Sequence, residues 1–127
     1  MMSVVLVIDD DQLIRKGLRE LLECFDYSVL EAENGREGLD IFNDHVDEIA
    51  VVILDLTMPG MDGKTVCREI IKIRPDTPVL ITSGRHGDID DLIALRDPAC
   101  TEFLLKPFDP VKLLARVKTF IDSTQAG

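Results

Sequence analysis

Short runs of apolar residues alternate with amphipathic stretches along the whole chain. The run VVLVI, from Val4 to Ile8, and the run VVIL, over residues 51–54, contain no polar position. Continuous apolar runs of this length are typical of parallel strands that are buried on both faces. The predicted strands are residues 4–8, 28–32, 50–54, 78–84 and 102–105.

Helical spacing of apolar residues follows each of these strands. In the first predicted helix, residues 12–25, the apolar stripe includes Leu13, and the charged residues Arg15 and Arg19 are placed outside. The last predicted helix, residues 109–122, begins with Asp109 as its cap and Pro110 at its first position, and its inner face includes Val111. The helices between them are predicted from residue 35, from residue 63 to before residue 75, and over residues 88–95.

Five strand–helix units with right-handed crossovers predict an α/β fold. We expect a (βα)5, flavodoxin-like, doubly wound parallel sheet of five strands in the order 2-1-3-4-5. The chain is predicted to be a single domain, residues 1–127, with a core of about residues 3–121.

Net charge, cysteine count and the length of apolar segments limit which partners and which cellular location are expected for the protein. The formal net charge of −10 argues against binding to a nucleic acid backbone. Three cysteines fit neither a disulfide framework nor a paired metal-ligand spacing, so they are interpreted as reduced thiols. With no long apolar segment, the prediction is a cytoplasmic protein with neither a membrane nor a nucleic acid as partner.

Acidic residues follow the two strands that the fold places at its centre. Asp9 and Asp10 follow the first strand, Asp55 ends the third, and Lys106 ends the fifth. Parallel strands bring their carboxyl ends to one edge of the sheet, and ligands bind there, where the strand order reverses. Three carboxylates repel one another, and one lysine does not balance them. The alternative is that Asp10 or Asp11 only caps the first helix.

A divalent cation would resolve this charge imbalance. Mg²⁺ prefers oxygen ligands, and Mn²⁺ is the alternative ion. We expect Asp10 and Asp55 to bind it directly, Asp9 to act through water, and the Thr57 backbone carbonyl and a phosphate oxygen to complete the set.

The same edge carries residues suited to phosphoryl transfer. A carboxylate beside a divalent cation, here Asp55, can attack phosphorus and form an aspartyl phosphate. Lys106 supplies a positive charge for a phosphoryl oxygen, and Pro107 is predicted to follow a cis bond. Ser83, at the end of the fourth strand, can donate a hydrogen bond to the phosphoryl group. The alternatives are that Lys106 is a surface lysine, that Ser83 only closes a turn, and that Phe103 belongs to the core.

The pattern closely resembles the receiver domain of two-component response regulators over about residues 3–121. Asp9 and Asp10 match the acidic pair of that family, and Asp55, within the string LDLTMPGMDG, matches its phosphoaccepting aspartate. Lys106-Pro107 matches the Lys-Pro of the family, Ser83 its switch Ser/Thr, and Phe103 its aromatic switch position.

The resemblance implies a function and its partners. A histidine kinase or histidine phosphotransfer protein would donate a phosphoryl group to Asp55, with Mg²⁺ required, and the domain would catalyse its own phosphorylation and slow dephosphorylation. Ser83 would then move toward the phosphate and Phe103 would turn inward. This would change the face formed by the fourth helix, the fifth strand and the last helix, where a downstream protein binds. The receiver would be a stand-alone protein or part of a hybrid histidine kinase.

Three other functions remain open from the residues. A Mg²⁺-dependent phosphohydrolase also forms an aspartyl phosphate, but that class carries Asp-x-Asp after its first strand, whereas here Asp55 follows the third. A flavin-binding protein needs a phosphate loop where this chain has three aspartates, which would repel the phosphate of FMN. The third is a docking module that does not depend on phosphorylation.

Overall fold

The fold is described from a computed structural model that covers residues 3–84 and 101–126. The strands are β1 (Val4–Ile8), β2 (Ser28–Ala32), β3 (Ile49–Asp55), β4 (Val79–Ser83) and β5 (Thr101–Leu105). The helices are α1 (Gln12–Cys24), α2 (Gly35–Asp44), α3 (Gly63–Ile73) and the C-terminal α4 (Pro110–Ala126). The helix predicted over residues 88–95 lies outside the described residues.

The five strands form one parallel sheet in the order β2-β1-β3-β4-β5, so the predicted fold is confirmed. Successive side chains of a strand point to opposite faces. Leu6 and Ile8 of β1 therefore join the core under α2 and α3, whereas Val5 and Val7 join the core under α1 and α4. This two-sided burial explains why β1 and β3 contain no polar residue before their ends.

Strand register places the polar residues side by side at the carboxyl edge. Ile8 pairs with Leu54 across β1 and β3, so Asp9 and Asp55 are the next residues on neighbouring strands. Asp55 pairs in turn with Thr82 of β4, which precedes Ser83. The strand order and register are thus sufficient to bring residues from three distant parts of the sequence to one place.

Short polar side chains cap the helices that leave this edge. Asp11 accepts hydrogen bonds from the backbone N–H groups of Leu13 (2.9 Å) and Ile14 (3.3 Å) at the start of α1. Asp109 accepts one from Val111 N–H (2.9 Å) at the start of α4, as predicted. Because Asp11 serves as the cap of α1, Asp9 and Asp10 are available for another role.

Two apolar residues predicted to be buried near the starts of helices are exposed, as is Phe25 (56%), which was predicted on the apolar stripe of the first helix. Leu13 is 80% exposed and Val111 is 71% exposed. Each lies in the first turn of a helix that starts at the carboxyl edge, so that turn projects past the strands and has no sheet to cover it. The buried face of α4 is formed by Leu113, Val117 and Ile121, and the helix continues beyond the predicted residue 122 to Ala126. None of the described helices is long and apolar enough to cross a membrane.

The start of α3 packs directly against the loop that follows Asp55. A Cβ on Gly63 would lie 2.6 Å from the Cα of Leu56 and 2.8 Å from the carbonyl oxygen of Asp55. Both are backbone atoms, which cannot move aside as a side chain can. Glycine is therefore required here by space.

We expect Gly63→Ala to lower the free energy of unfolding by about 1–3 kcal/mol, because the methyl group must displace this backbone. Gly17→Ala is the matched control, since a Cβ on that residue of α1 would meet nothing within 4 Å. It should raise the free energy of unfolding by roughly 0.5–1 kcal/mol, because alanine favours the helix. Urea denaturation measures both, and two variants of equal stability would contradict the close approach.

Candidate functional site

Three carboxylates meet at the carboxyl edge of the sheet. Asp9, Asp10 and Asp55 each place an oxygen so that the three atoms lie within 4.8 Å of one another. Asp9 and Asp55 are each only 3% exposed, whereas Asp10 is exposed to solvent. The cluster therefore has two buried members and one that faces outward.

Asp9 is held by hydrogen bonds on both of its carboxylate oxygens. Oδ1 accepts the backbone N–H of Asp11 (2.9 Å), and Oδ2 accepts the ammonium of Lys106 (3.0 Å). Its backbone N–H donates to the carbonyl of Ala32 at the end of β2 (3.1 Å). These bonds fix both the position and the orientation of the Asp9 side chain.

Lys106 bridges the two buried carboxylates. Its Nζ lies 3.0 Å from Asp9 Oδ2 and 3.3 Å from Asp55 Oδ1. The backbone N–H of Lys106 donates to the carbonyl of Ser83 (2.7 Å), which joins the ends of β4 and β5, and the Lys106–Pro107 bond is cis, as predicted. The lysine thus reaches the centre of the sheet from its edge strand.

One ammonium does not compensate the negative charge of the cluster. Burial raises the pKa of Asp55 to about 6, and the charge of Asp9 acts in the same direction. Lys106 and the N–H of Thr57 only partly oppose this rise. Burial by itself would lower the pKa of Lys106, but the hydrogen bonds and charges of Asp9 and Asp55 outweigh it and raise that pKa. A further cation would therefore be strongly stabilised here.

The donor atoms fit a hard divalent cation. All three side chains offer carboxylate oxygens, which Mg²⁺ and Mn²⁺ prefer over nitrogen or sulfur. A pocket of about 350 Å³ opens over them, lined by Asp10, Asp11, Asp55, Thr57, Gly84 and Lys106. Thr57 is exposed at its rim, and its N–H lies 3.4 Å from Asp55 Oδ1. The space allows a ligand to reach Asp55 and Lys106 together.

The two remaining predicted residues lie on the strands next to this site, Ser83 on β4 and Phe103 on β5. Ser83 is fully buried at the end of β4 and precedes the exposed Gly84. Phe103 of β5 is partly buried and packs against the core under α2 and α3. The structure therefore brings Asp9, Asp10, Asp55, Thr57 and Lys106 together, with Ser83 next to them and Phe103 farther along β5.

Arg15 contacts the backbone of the acidic cluster, and the sequence pattern did not predict this contact. The pattern placed Arg15 outside α1, but its side chain is only 12% exposed and its Nη1 donates to the backbone carbonyl of Asp9 (2.6 Å). A signal was present in the acidic residue Glu31, which stands one position before the end of β2 and pairs with Arg15 Nε (3.3 Å).

Residues 5–118 match the family model of the response regulator receiver domain. The response regulator MprA of Mycolicibacterium vanbaalenii is 37% identical over 120 residues, which cover 94% of this chain and 51% of that protein. A response regulator receiver domain protein from Clostridium thermocellum has a crystal structure that is 36% identical, with a TM-score of 0.90 and 98% of both chains covered.

A second similar structure contains a ligand. It is CheY in a CheX–CheY complex with BeF3 and Mg²⁺ from Borrelia burgdorferi, 28% identical, with a TM-score of 0.80 and with 92% of this chain and 87% of that chain covered. The chain spans about half the length of the curated relatives it matches.

The raised pKa of Asp55 predicts how the stability of the metal-free protein depends on pH. An acid whose pKa rises from 3.8 to about 6 on folding binds its proton more tightly in the folded state. Its contribution to stability is therefore lost as pH rises from about 4 through 6. We expect Asp55→Asn to be more stable than the unsubstituted protein near pH 8, and this difference to shrink as pH falls.

Urea denaturation at a series of pH values, in the presence of a chelator, measures this effect. Asp40→Asn, which removes an exposed carboxylate of α2, is the control for the change in net charge. A stability difference for Asp55→Asn that stays constant from pH 4 to 8 would be inconsistent with a buried, repelled carboxylate.

Proposed function

Because the chain belongs to the response regulator receiver domain family, we propose that it accepts a phosphoryl group on Asp55 from a histidine kinase or histidine phosphotransfer protein. Response regulators partner with histidine kinases, and their receiver domains are signalling phosphoacceptors. The observation that carries the assignment is the buried Asp55 carboxylate, which contacts Lys106, clusters with Asp9 and Asp10, and lines an open pocket.

The acidic cluster is typical of a receiver-domain Mg²⁺ site. Asp10, Asp55 and the backbone carbonyl of Thr57 would hold the ion. Both oxygens of Asp9 already accept hydrogen bonds, which favours an indirect contact through water. When bound, Mg²⁺ or Mn²⁺ offsets the repulsion between the incoming phosphoryl group and the carboxylates.

Asp55 is the nucleophile in this proposal. Its Oδ1 accepts from Lys106 and Thr57, whereas Oδ2 accepts no hydrogen bond from residues 3–84 or 101–126. We assign the attack to Oδ2. A bond forms between Oδ2 and phosphorus, the bond between phosphorus and the donor histidine nitrogen breaks, and its electron pair returns to the imidazole. With a pKa of about 6, most Asp55 side chains carry the required negative charge at pH 7.

Lys106 and Ser83 would bind the transferred group. The Lys106 ammonium, held by Asp9, lies 3.3 Å from Oδ1 of Asp55, next to the attacking Oδ2, and so is close to the phosphoryl oxygens that arrive there. The Ser83 hydroxyl would donate to another phosphoryl oxygen, with Gly84 leaving room. In the slow self-catalysed dephosphorylation, water would attack phosphorus and release phosphate from Asp55, and the same groups would stabilise that step.

Movement of Ser83 would change the surface around β5. The carbonyl of Ser83 accepts the N–H of Lys106, so a shift of Ser83 acts directly on the end of β5. Phe103, two residues before Leu105, would turn inward and reshape the face formed by the helix predicted over residues 88–95, β5 and α4. Its ring carries no hydroxyl, so its contribution would be packing alone. A downstream protein would recognise this face, and no nucleic acid contact is assigned to residues 1–127.

Phosphorylation of Asp55 is tested by intact-mass spectrometry. A small acyl phosphate such as acetyl phosphate, with Mg²⁺, should add the mass of one phosphoryl group, and a chelator should prevent the gain. Asp55→Asn should abolish the gain, and the exposed control Asp40→Asn should retain it. A gain that persists in Asp55→Asn would sink the assignment, and repeated turnover of a phosphate ester would favour a phosphohydrolase.

Loss of the Lys106 charge should slow the same reaction. We expect Lys106→Gln to reduce the rate of phosphorylation by roughly 10²-fold, the effect of removing one preorganised group that stabilises developing negative charge. Lys112→Gln, an exposed substitution on α4, is the control. Time courses of the mass gain give the rates, and equal rates for the two variants would remove Lys106 from the proposed site.

A further inference from the structure

Arg15 is largely buried beside the acidic cluster, with 12% of its side chain exposed, and contacts the backbone of Asp9. The side chain leaves the first turns of α1, and its Nη1 lies 2.6 Å from the carbonyl oxygen of Asp9. The backbone N–H of Asp9 is also hydrogen-bonded, because it donates to the carbonyl of Ala32 (3.1 Å). Both polar backbone groups of Asp9 are therefore bound by neighbouring elements.

This contact controls the peptide unit that leads into Asp10. A peptide bond is planar, so fixing the carbonyl of Asp9 also fixes the N–H of Asp10 and the direction in which its Cα follows. The Asp10 carboxylate is exposed, and no hydrogen bond or ion pair holds it within the described part of the chain. Its position relative to Asp55 therefore depends on the backbone that Arg15 holds.

Glu31 keeps the Arg15 guanidinium in place. Its Oε1 lies 3.3 Å from Arg15 Nε, and its Oε2 lies 3.1 Å from Arg19 Nε. Arg15 thus binds Glu31 with one nitrogen and Asp9 with another, a two-point attachment that the planar guanidinium allows. At the end of β2, Ala32 therefore binds the N–H of Asp9 directly, and the preceding Glu31 acts on the carbonyl of Asp9 through Arg15.

We propose that Arg15, anchored by Glu31, is a positioning residue for the acidic centre. Resting on the proposed function, it would place the Asp10 carboxylate at the distance from Asp55 that a divalent cation requires. Residues that orient ligands from outside the coordination sphere commonly affect metal affinity as strongly as some ligands do.

Arg19 offers an internal comparison. It shares the Glu31 carboxylate with Arg15, but its Nη2 donates to the carbonyl of Val29 (2.9 Å), in the middle of β2 and away from the acids. Loss of either arginine removes a contact between α1 and β2. Only the loss of Arg15 releases the backbone carbonyl of Asp9.

The experiment measures Mg²⁺ affinity by isothermal titration calorimetry, on full-length chains stripped of metal and at a temperature where circular dichroism shows every variant folded. We expect Arg15→Gln to weaken Mg²⁺ binding roughly tenfold, as expected for loss of an outer-sphere partner. Arg19→Gln should bind with an affinity near that of the unsubstituted protein. Glu31→Gln, which keeps Arg15 but releases its anchor, should weaken binding by a smaller factor and serves if Arg15→Gln does not fold.

The outcomes separate this inference from the proposed function. Unsubstituted protein that binds no Mg²⁺ overturns both. If it binds Mg²⁺ and Arg15→Gln (or, should that variant not fold, Glu31→Gln) binds equally well, only the positioning role is overturned. Equal losses in Arg15→Gln and Arg19→Gln would also overturn it, because they would indicate general loosening of α1 on β2.

Discussion

Two carboxylates, Asp9 and Asp55, are removed from water at adjacent positions, and the organisation of the whole carboxyl edge depends on that burial. Removing a charge from water is costly unless an opposite charge compensates it. Lys106 compensates only one of the two buried charges, and Asp10 adds a third at the surface. Folding therefore creates a local excess of negative charge that Lys106 does not fully neutralise. A site in this condition responds strongly to any cation or group that reaches it, which suits a component that must change state.

The central strands and their acids could be predicted from the sequence because buried parallel strands leave a one-dimensional pattern. The runs before Asp9 and Asp55 are apolar at every position, so their ends are unambiguous. The alternation of strands and helices predicts a doubly wound parallel sheet, and the observed strand order brings the acids together. The pattern was weaker for Leu13 and Val111, whose exposure depends on where each helix extends past the sheet. The helical spacing of apolar residues alone does not indicate where a helix passes the carboxyl edge of the sheet.

Partly buried arginines were the larger gap in the sequence-based interpretation. The sequence pattern placed Arg15 outside α1, yet the guanidinium groups of Arg15 and of Arg74, the C-terminal cap of α3, both reach backbone carbonyls. Arg74 Nη1 donates to the carbonyls of Val46 (2.9 Å), before β3, and of Ile49 (2.7 Å), the first residue of β3, as Arg15 Nη1 does to the carbonyl of Asp9 after β1. A long side chain can cover apolar surface and still place its charged end on a loop. Helical spacing cannot predict such contacts, because they depend on the position of a neighbouring loop.

The ion pair between Asp9 and Lys106 joins residues that are 97 positions apart. A chain made on the ribosome exposes its acids first and their lysine near the end of synthesis. Until β5 has emerged, the growing chain carries Asp9, Asp10 and Asp55 without the cation that makes their burial tolerable. The acidic edge is thus completed only when almost the entire domain has been translated, so a truncated product would lack a closed site even if its first three strands had paired.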